Sequence, residues 1–325
     1  MELLNCYIGY SLDENIRYRS TSGGIGTSIV KYLLENNIVD FALSFKYNNL
    51  LGRYEPTLIN SFLDYCITGS IYHEIDMVAC LHSILCEKYS NQRIVIFALP
   101  CYAPLAKHLA KKYGISITVI GLTCSSQQSF EATRYLYKRL DICEEQVKKI
   151  RYRGNGWPGG ICIEKKDGKQ IFVPNNNSLW EQIFHSRLFI SKKCFKCNDT
   201  LNKYSDIVIA DPWLPEYYGT ETIGKTIIGV YTLSGNEIVS KAINDEYIQC
   251  QLIDKSLLFA SQKCTIDRKK SYSNDKKTRD FLIKICQSSL YKKIVLSTPY
   301  LFRLHIFFKN KLEKKLLEQL YRQNN

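Results

Sequence analysis

Four cysteines are the residues of this sequence best suited to hold a metal centre. Cys194-Phe-Lys-Cys197 places two thiols within reach of one centre, and the lysines around the pair favour the thiolate form. The five histidines show no zinc-ligand spacing, so the two missing ligands are best sought in Cys101 and Cys124. Four thiolates suit either zinc or a four-iron four-sulfur cluster, and the spacing does not separate the two.

A first glycine-rich segment has the pattern of an anion site. From Ser20 the sequence runs STSGGIGTS into an apolar-periodic helix that ends near Asn36. Unpaired backbone N–H groups and the positive end of the helix dipole converge at such a start. The preceding residues are polar rather than a buried strand, which excludes the standard dinucleotide fingerprint. A helix cap without a ligand is the alternative.

A second glycine-rich segment, KIRYRGNGWPGGICIE, lies between Lys149 and Glu164. Its glycines allow the backbone to lie close to a ligand. Arg151 and Arg153 could meet phosphate, and Trp157 could cover a ring. A tight hairpin is the alternative, and composition alone favours it.

A predicted β-α-β unit positions two of the four cysteines. Residues 93–99 are an apolar, β-branched run, a helix follows from Pro100 to Gly114, and residues 115–122 are a second strand. A right-handed crossover makes the two strands parallel, so that Cys101 and Cys124 follow them at one edge of the sheet. Ligands of open α/β sheets usually bind at that edge.

Other segments extend this pattern. Residues 39–44 and 227–232 are predicted strands, and Ile71–Cys86 is a predicted amphipathic helix. The fold class is therefore α/β, with a mixed or parallel sheet, flanking helices and a basic helical C-terminal tail. We predict two regions, a main region over residues 1–270 and the tail over 271–325.

Composition and charge narrow the function classes. The chain has 325 residues, of which 45% are hydrophobic and 23% charged, as in ordinary globular proteins and unlike disordered or collagenous chains. Thirteen cysteines without a signal-peptide pattern argue against a disulfide framework and favour the cytoplasm. Residues 263–325 hold 16 Lys or Arg and 5 Asp or Glu, out of a net charge of +13 for the whole chain. The charge is thus local, and we expect no nucleic-acid partner.

The tail is predicted to be helical and to make contacts of its own. Its apolar run IVLSTPYLFRLHIFF is interrupted by Pro299, Arg303 and His305, and is too short and polar to span a bilayer. It could touch a partner protein or the surface of the inner membrane, or pack against the body of the chain.

Several short segments occur in an order specific to one family. In sequence order they are Thr21-Ser-Gly-Gly24, Gly69-Ser-Ile-Tyr72, Leu99-Pro-Cys-Tyr102, Gly121-Leu-Thr-Cys124, Arg151-Tyr-Arg-Gly154 with Gly156-Trp-Pro-Gly159, Cys194-x-x-Cys197, and Asp206 with Ala210-Asp-Pro-Trp213. Together they cover roughly residues 15–270. The sequence resembles the coenzyme F420 hydrogenase/dehydrogenase beta subunit family of flavin and iron-sulfur proteins.

The resemblance implies two cofactors and their ligands. FAD would be bound by the TSGG loop and the RYRG…GWPG segment, and a 4Fe-4S cluster would be held near the flavin by Cys101, Cys124, Cys194 and Cys197. The implied FAD-binding residues are Thr21, Ser22, Gly23, Gly24, Thr27, Ser70, Tyr72, Arg151, Arg153, Gly154, Trp157, Pro158 and Asp211. The sequence names no catalytic acid or base.

The resemblance also implies an oxidoreductase with an external electron donor. In the family, electrons pass between a ferredoxin-like or deazaflavin donor, the cluster and FAD, and on to or from an organic substrate. Only Cys6 precedes the flavin loop, so a second cluster would have to come from a partner. Short bacterial members suggest a sugar or sugar-nucleotide substrate in surface polysaccharide biosynthesis.

Two alternatives come from other functional classes. One is an electron-transfer or assembly subunit that binds the cofactors but has no substrate of its own, with the basic tail as its docking element. The other is a zinc-stapled α/β transferase acting on an activated sugar, with the glycine loops holding a diphosphate.

Overall fold

Residues 2–324, the part of the chain that the computed structural model describes, form two β-sheets and thirteen α-helices. The strands are β1 (Asn5–Ser11), β2 (Phe41–Asn48), β3 (Arg53–Ile59), β4 (Arg93–Ala98), β5 (Ser116–Leu122), β6 (Val147–Arg151), β7 (Gly160–Lys165), β8 (Gln170–Pro174), β9 (Ile207–Ala210), β10 (Thr226–Val230) and β11 (Ile248–Leu252). The helices are α1 (Glu14–Arg19), α2 (Ile25–Glu35), α3 (Met77–Ile84), α4 (Ala103–Lys112), α5 (Phe130–Arg139), α6 (Leu179–His185), α7 (Lys192–Lys196), α8 (Leu233–Asn244), α9 (Lys255–Ser261), α10 (Lys263–Asn274), α11 (Lys276–Gln287), α12 (Ser289–Val295) and α13 (Pro299–Asn324).

The larger sheet is mixed and has eight strands in the order β11-β1-β10-β9-β5-β4-β2-β3. Its centre is parallel, since β5 pairs in parallel with β4 and β9, and β4 with β2. The outer pairs are antiparallel. The predicted α/β class with a mixed sheet and flanking helices is confirmed.

Helices cover both faces of this sheet because apolar residues occur at consecutive positions of its central strands. In β4, Val95 faces the cluster formed with α2 and α8, whereas Ile94 and Ile96 face the cluster formed with α3 and α4. All three are fully buried. Because such a strand is buried on both faces, functional groups can reach a ligand from the residues that follow its carboxyl end.

The predicted β-α-β unit is confirmed as β4, α4 and β5, with the two strands parallel. The helix after the glycine-rich loop is also confirmed, as α2. The helix predicted from Ile71 is wrong in its first part, because α3 begins only at Met77, where Asp76 caps it. The preceding residues are irregular, since the buried ring of His73 accepts a hydrogen bond from the Tyr54 N–H and the Tyr72 carbonyl accepts one from the Gln128 N–H.

The second sheet, β6-β7-β8, is an antiparallel meander. Its residues share one core cluster with α5, α6 and the C-terminal helices, including the fully buried Phe302 of α13 and Cys286 of α11. The C-terminal stretch is helical, as predicted, and it packs against the body. The division of the chain at residue 270, and a contact of the tail with a membrane or a partner, stay predictions.

No helix within residues 2–324 combines the length and the apolar character needed to cross a membrane.

Candidate functional site

The four predicted cysteine ligands are brought together at the carboxyl edge of the parallel strands. Cys101 follows β4 and Cys124 follows β5, while α7 carries Cys194 and Cys197 is the residue that caps its C-terminal end. The Cys124 N–H donates to the Thr200 carbonyl at 3.0 Å, which ties the end of β5 to the segment after α7. Four thiols from three parts of the chain therefore share one neighbourhood.

The thiols are close enough to affect one another's protonation. The pKa of Cys124 is raised to about 12, chiefly by desolvation. The Lys269 ammonium acts in the opposite direction, and negative charge on Cys194, Cys101 and Cys197 adds to the rise. Three neighbouring thiolates would therefore need a cationic centre to balance them. Iron or zinc would supply that balance and keep the sulfurs deprotonated.

The arrangement of the thiols bears on which centre they fit. Among residues 2–324 no three His, Cys, Asp or Glu side chains converge on a point suited to one metal ion. Tetrahedral zinc requires four sulfurs at about 2.3 Å from a single point. A four-iron cluster separates its four thiolates more widely, because each binds a different iron. The four thiols supply the ligand set that either centre requires.

A cavity of about 830 Å³ opens beside the cysteines. Its wall includes Cys124, the start of α2 and the end of β9, so it spans the same carboxyl edge of the sheet. Aromatic side chains line much of it: Phe45, Tyr65, Tyr72, Phe97, Tyr102, Trp180, Phe184, Trp213 and Tyr218. Such a wall suits a flat aromatic ring system.

The start of α2 offers hydrogen-bond donors to this cavity. Gly24 has a φ of +77°, which glycine adopts readily, and no side chain caps the helix. The first N–H groups of α2 therefore lack a cap and can donate to an anion. The Thr21 and Ser70 hydroxyls are hydrogen-bonded to each other at 3.0 Å and both line the cavity. At this end of the cavity a phosphate would be bound by neutral N–H and hydroxyl groups rather than by a charged side chain.

A buried ion pair holds the loop before α2 in place. The Arg153 guanidinium donates to both oxygens of Asp211, at 3.1 and 3.3 Å, and to the Thr21 carbonyl and the Tyr72 hydroxyl. Asp211 also accepts from Trp157 Nε1 at 3.2 Å. Burial alone lowers the pKa of Arg153, but Asp211 and Tyr72 outweigh it, so the pKa is raised above the ordinary arginine value.

Eight of the thirteen predicted FAD-binding residues line the cavity. They are Thr21, Ser22, Gly24, Thr27, Ser70, Tyr72, Arg153 and Asp211. The second glycine-rich segment forms the predicted hairpin, β6 and β7, and its loop sends Arg153 and Trp157 to Asp211. The segment therefore forms a hairpin and also contributes to the wall of the cavity.

The other five residues are not among those that line the cavity, and their part in binding FAD stays a prediction. The Gly23 N–H donates to Thr226 Oγ1 at 2.8 Å, and Arg151 donates to the Arg19 carbonyl at 2.6 Å. Gly154, with a φ of +114°, packs on that same carbonyl. Trp157 packs against Trp213, and Pro158 continues the same turn behind it. These residues shape the wall through protein contacts.

Several residues at the site escaped the sequence analysis. Gln262 donates to the Asp211 carbonyl at 3.0 Å, and Lys269 donates to the Cys124 carbonyl at 2.8 Å. Both belong to the polar, basic stretch 262–270, in which nothing in the sequence distinguishes them from their neighbours. The Thr226 hydroxyl is hydrogen-bonded to the Ser22 hydroxyl and accepts from the Gly23 N–H. Thr226 begins an apolar strand, and the sequence pattern shows nothing of this contact.

The fold and the site agree with one class of protein. The sequence matches the family described as coenzyme F420 hydrogenase/dehydrogenase, beta subunit, through its N-terminal profile over residues 6–81 and its C-terminal profile over residues 91–256. The chain belongs to this family, whose relatives are subunits of oxidoreductases.

Two curated relatives and one solved structure are similar to the chain. It is 27% identical over 247 residues to the F420-dependent formate dehydrogenase subunit beta of Methanocaldococcus jannaschii, covering 73% of this chain and 59% of that protein. It is 25% identical over 253 residues to the F420-dependent formate dehydrogenase 1 subunit beta of Methanococcus maripaludis, covering 75% and 60%. The chain thus spans about three-fifths of the length of these relatives. A chain of the F420-reducing [NiFe] hydrogenase complex from Methanosarcina barkeri shares the fold, with a TM-score of 0.64, 18% identity, and coverage of 85% of this chain and 93% of that one.

Proposed function

We propose that the chain is a flavin- and iron-sulfur-dependent oxidoreductase, with FAD in the large cavity and a 4Fe-4S cluster on Cys101, Cys124, Cys194 and Cys197. One observation carries the proposal. A single cavity has the uncapped start of α2 in one part of its wall and Cys124 of the four-cysteine site in another. A ligand bound there would lie beside the cysteine site.

The cavity residues would bind and orient the flavin rather than perform its chemistry. FAD supplies hydride exchange when bound, and a four-iron cluster supplies one-electron transfer. The first N–H groups of α2 and the Thr21 hydroxyl would receive phosphate. Aromatic side chains such as Tyr72 and Trp180 would exclude water from the ring system. Arg153 and Asp211 would keep this wall in shape before the ligand arrives.

The donor and the substrate are proposed from the names of the relatives and from the family resemblance. The relatives' names include F420, a deazaflavin, so we propose a deazaflavin or ferredoxin-like donor here. A sugar or sugar-nucleotide substrate rests only on the resemblance to short bacterial members. We propose the cytoplasm as the site of action, because all thirteen cysteines are free thiols and such a chain needs a reducing compartment.

The test is an anaerobic purification with visible absorption, iron, acid-labile sulfide and released flavin measured on one sample. We expect about one flavin and about four irons per chain. Cys194→Ser and Cys197→Ser should lose the iron and keep the circular dichroism spectrum. Cys143→Ser, at an exposed cysteine outside the site, is the matched control and should keep both. Full iron content in both ligand variants would show that the ligand assignment is wrong, and a colourless zinc protein would favour the transferase.

A second candidate, an electron-transfer subunit without its own substrate, is supported by the surface of the C-terminal helices. Leu290, Tyr300, Phe307 and Phe308 are each more than half exposed. Exposed apolar side chains grouped on one part of a chain are typical of protein interfaces. The relatives are also named as subunits.

Deleting the chain from Lys276 is a poor test of this candidate, because it would remove buried core residues such as Phe302. Substituting Tyr300 and Phe307 by Ser leaves that core intact. We expect the wild type to elute from native extracts as a larger assembly and the double variant as a single chain, both with flavin and iron. Elution of the wild type as a single chain would count against the subunit candidate.

A further inference from the structure

Lys269 of α10 is a buried lysine that points into the cysteine site. Its side chain belongs to a residue only 2% exposed. Its ammonium group donates to the Cys124 carbonyl at 2.8 Å and to the Asp199 carbonyl at 2.7 Å. It also contacts Cys197 Sγ at 3.5 Å. The three protons of the ammonium are thus directed at two carbonyls beside the site and at one of its sulfurs.

This buried charge lacks the partner that a buried lysine normally has. Within residues 2–324 Lys269 forms no ion pair with a carboxylate, whereas Lys309, which is also buried, pairs with Glu313 at 2.9 Å. An uncompensated buried ammonium costs several kcal/mol. The thiolates of a bound cluster would place negative charge beside this ammonium, which already donates to one of the four sulfurs.

A second cation strengthens this positive field. Arg268 is 6% exposed and donates to the Ser125 carbonyl at 3.2 Å and to the Ser125 hydroxyl at 2.9 Å. Helix α10 thus sets two adjacent cations against the Cys124–Ser125 segment. Lys269 is the one that touches a sulfur, so its effect should be the larger.

We propose that Lys269 is a positioning residue that sets the reduction potential of the cluster, a role that rests on the proposed function. An electron passed on from the proposed donor would make a thiolate-bound cluster more negative, and no bond would be formed or broken in the protein. The fixed ammonium stabilises the reduced form more than the oxidised form, and its hydrogen bond withdraws charge from Cys197 Sγ. A positive charge fixed at this place would make the cluster a better electron acceptor.

The experiment is a potentiometric titration of the full-length, anaerobically purified protein, followed by electron paramagnetic resonance of the reduced cluster. Lys269→Met removes the charge and keeps the length of the side chain. We expect the reduction equilibrium to shift at least tenfold toward the oxidised form, which is about 59 mV for a one-electron couple. Lys270→Met is the matched control, because the neighbouring lysine is exposed and its loss should shift the equilibrium much less.

A second variant keeps the inference open to refutation if the methionine variant fails to hold the cluster. Lys269→Gln retains a hydrogen-bond donor but no charge, and it should shift the equilibrium in the same direction. Potentials equal to that of Lys270→Met in the variants that retain the cluster would overturn the role of Lys269 while leaving the proposed function intact. A wild-type protein that binds no iron would overturn the proposed function and this inference together.

Discussion

The buried pair of Arg153 and Asp211 should be one of the most costly places to remove a charge. The Arg153 side chain is 3% exposed and that of Asp211 is 15% exposed. Asp211→Asn keeps the size of the side chain and one acceptor oxygen but removes the charge that balances the guanidinium. The Tyr72 hydroxyl and the Thr21 carbonyl remain as neutral acceptors.

The expected loss follows from leaving one charge buried without its partner. Removing one member of a buried ion pair typically costs 3–5 kcal/mol, and the remaining hydrogen bonds place this substitution near the lower end, at about 3 kcal/mol. In the double variant Arg153→Gln/Asp211→Asn the stranded charge is gone. Its cost should fall short of the sum of the two single losses by at least about 1 kcal/mol.

The assay is urea unfolding of the cofactor-free protein, followed by far-ultraviolet circular dichroism. Glu237→Gln is the matched control, since Glu237 forms an ion pair with Lys241 in which both side chains are more than half exposed. Its loss should cost much less than the loss of the Asp211 charge, because water screens an exposed ion pair. If Asp211→Asn cost no more than Glu237→Gln, the pair would not hold the wall of the cavity as argued above.

Three further predictions concern the loop before α2, the buried histidines and the C-terminal helix. Gly24→Ala should lower the free energy of unfolding by about 1 kcal/mol or more, since its Cβ would lie 3.0 Å from Ile16 Cγ2 at a φ of +77°. Gly168→Ala, at a φ of +85° with open space around it, should cost less. Burial lowers the pKa of His73 and His305. Below the ordinary histidine pKa, the unfolded chain therefore binds more protons than the folded chain does. Stability should therefore fall from pH 7 to pH 5, by up to about 1.4 kcal/mol per pH unit for each histidine, and a flat profile would contradict this. Phe302→Ala should cost about 3–5 kcal/mol in denaturant unfolding, against little for the exposed Phe307→Ala.

The parts of the fold that the sequence predicts well are those with strong local periodicity. Both strands and the helix of the β-α-β unit are apolar or amphipathic runs between turn residues, and they form as expected. Their parallel pairing follows from the handedness of crossovers, so the meeting of Cys101 with Cys124 could be predicted too. The place of Cys194 and Cys197 beside them follows only from the two ligands that a CxxC pair lacks, because no periodicity relates α7 to the sheet.

The errors and omissions come from contacts between distant segments. The segment after Ile71 has the apolar spacing of a helix, but the Tyr54 N–H and the Gln127 side chain bind groups of residues 72 and 73 and keep it irregular. Asp206, which the sequence shows only as part of the family pattern, accepts from the Val119 N–H and from Lys107 and so joins β5 to β9 and α4. Lys269 looks like any lysine of a basic helix until α10 is packed on the site.

The positions of charge differ between the α2 end of the cavity and the cysteine site, as the two proposed cofactors would require. Near the start of α2, Arg153 is occupied by Asp211, Tyr72 and Thr21, so an anion there meets neutral hydroxyls and N–H groups. Near the cysteines, by contrast, Lys269 adds a positive charge that forms no ion pair with a carboxylate in the described part of the chain. Added negative charge is therefore stabilised more at the cysteine end than at the α2 end. The difference arises from α10 and from the loop of the β6-β7 hairpin, which lie far apart in the sequence. It would stabilise an added electron at the cysteine site.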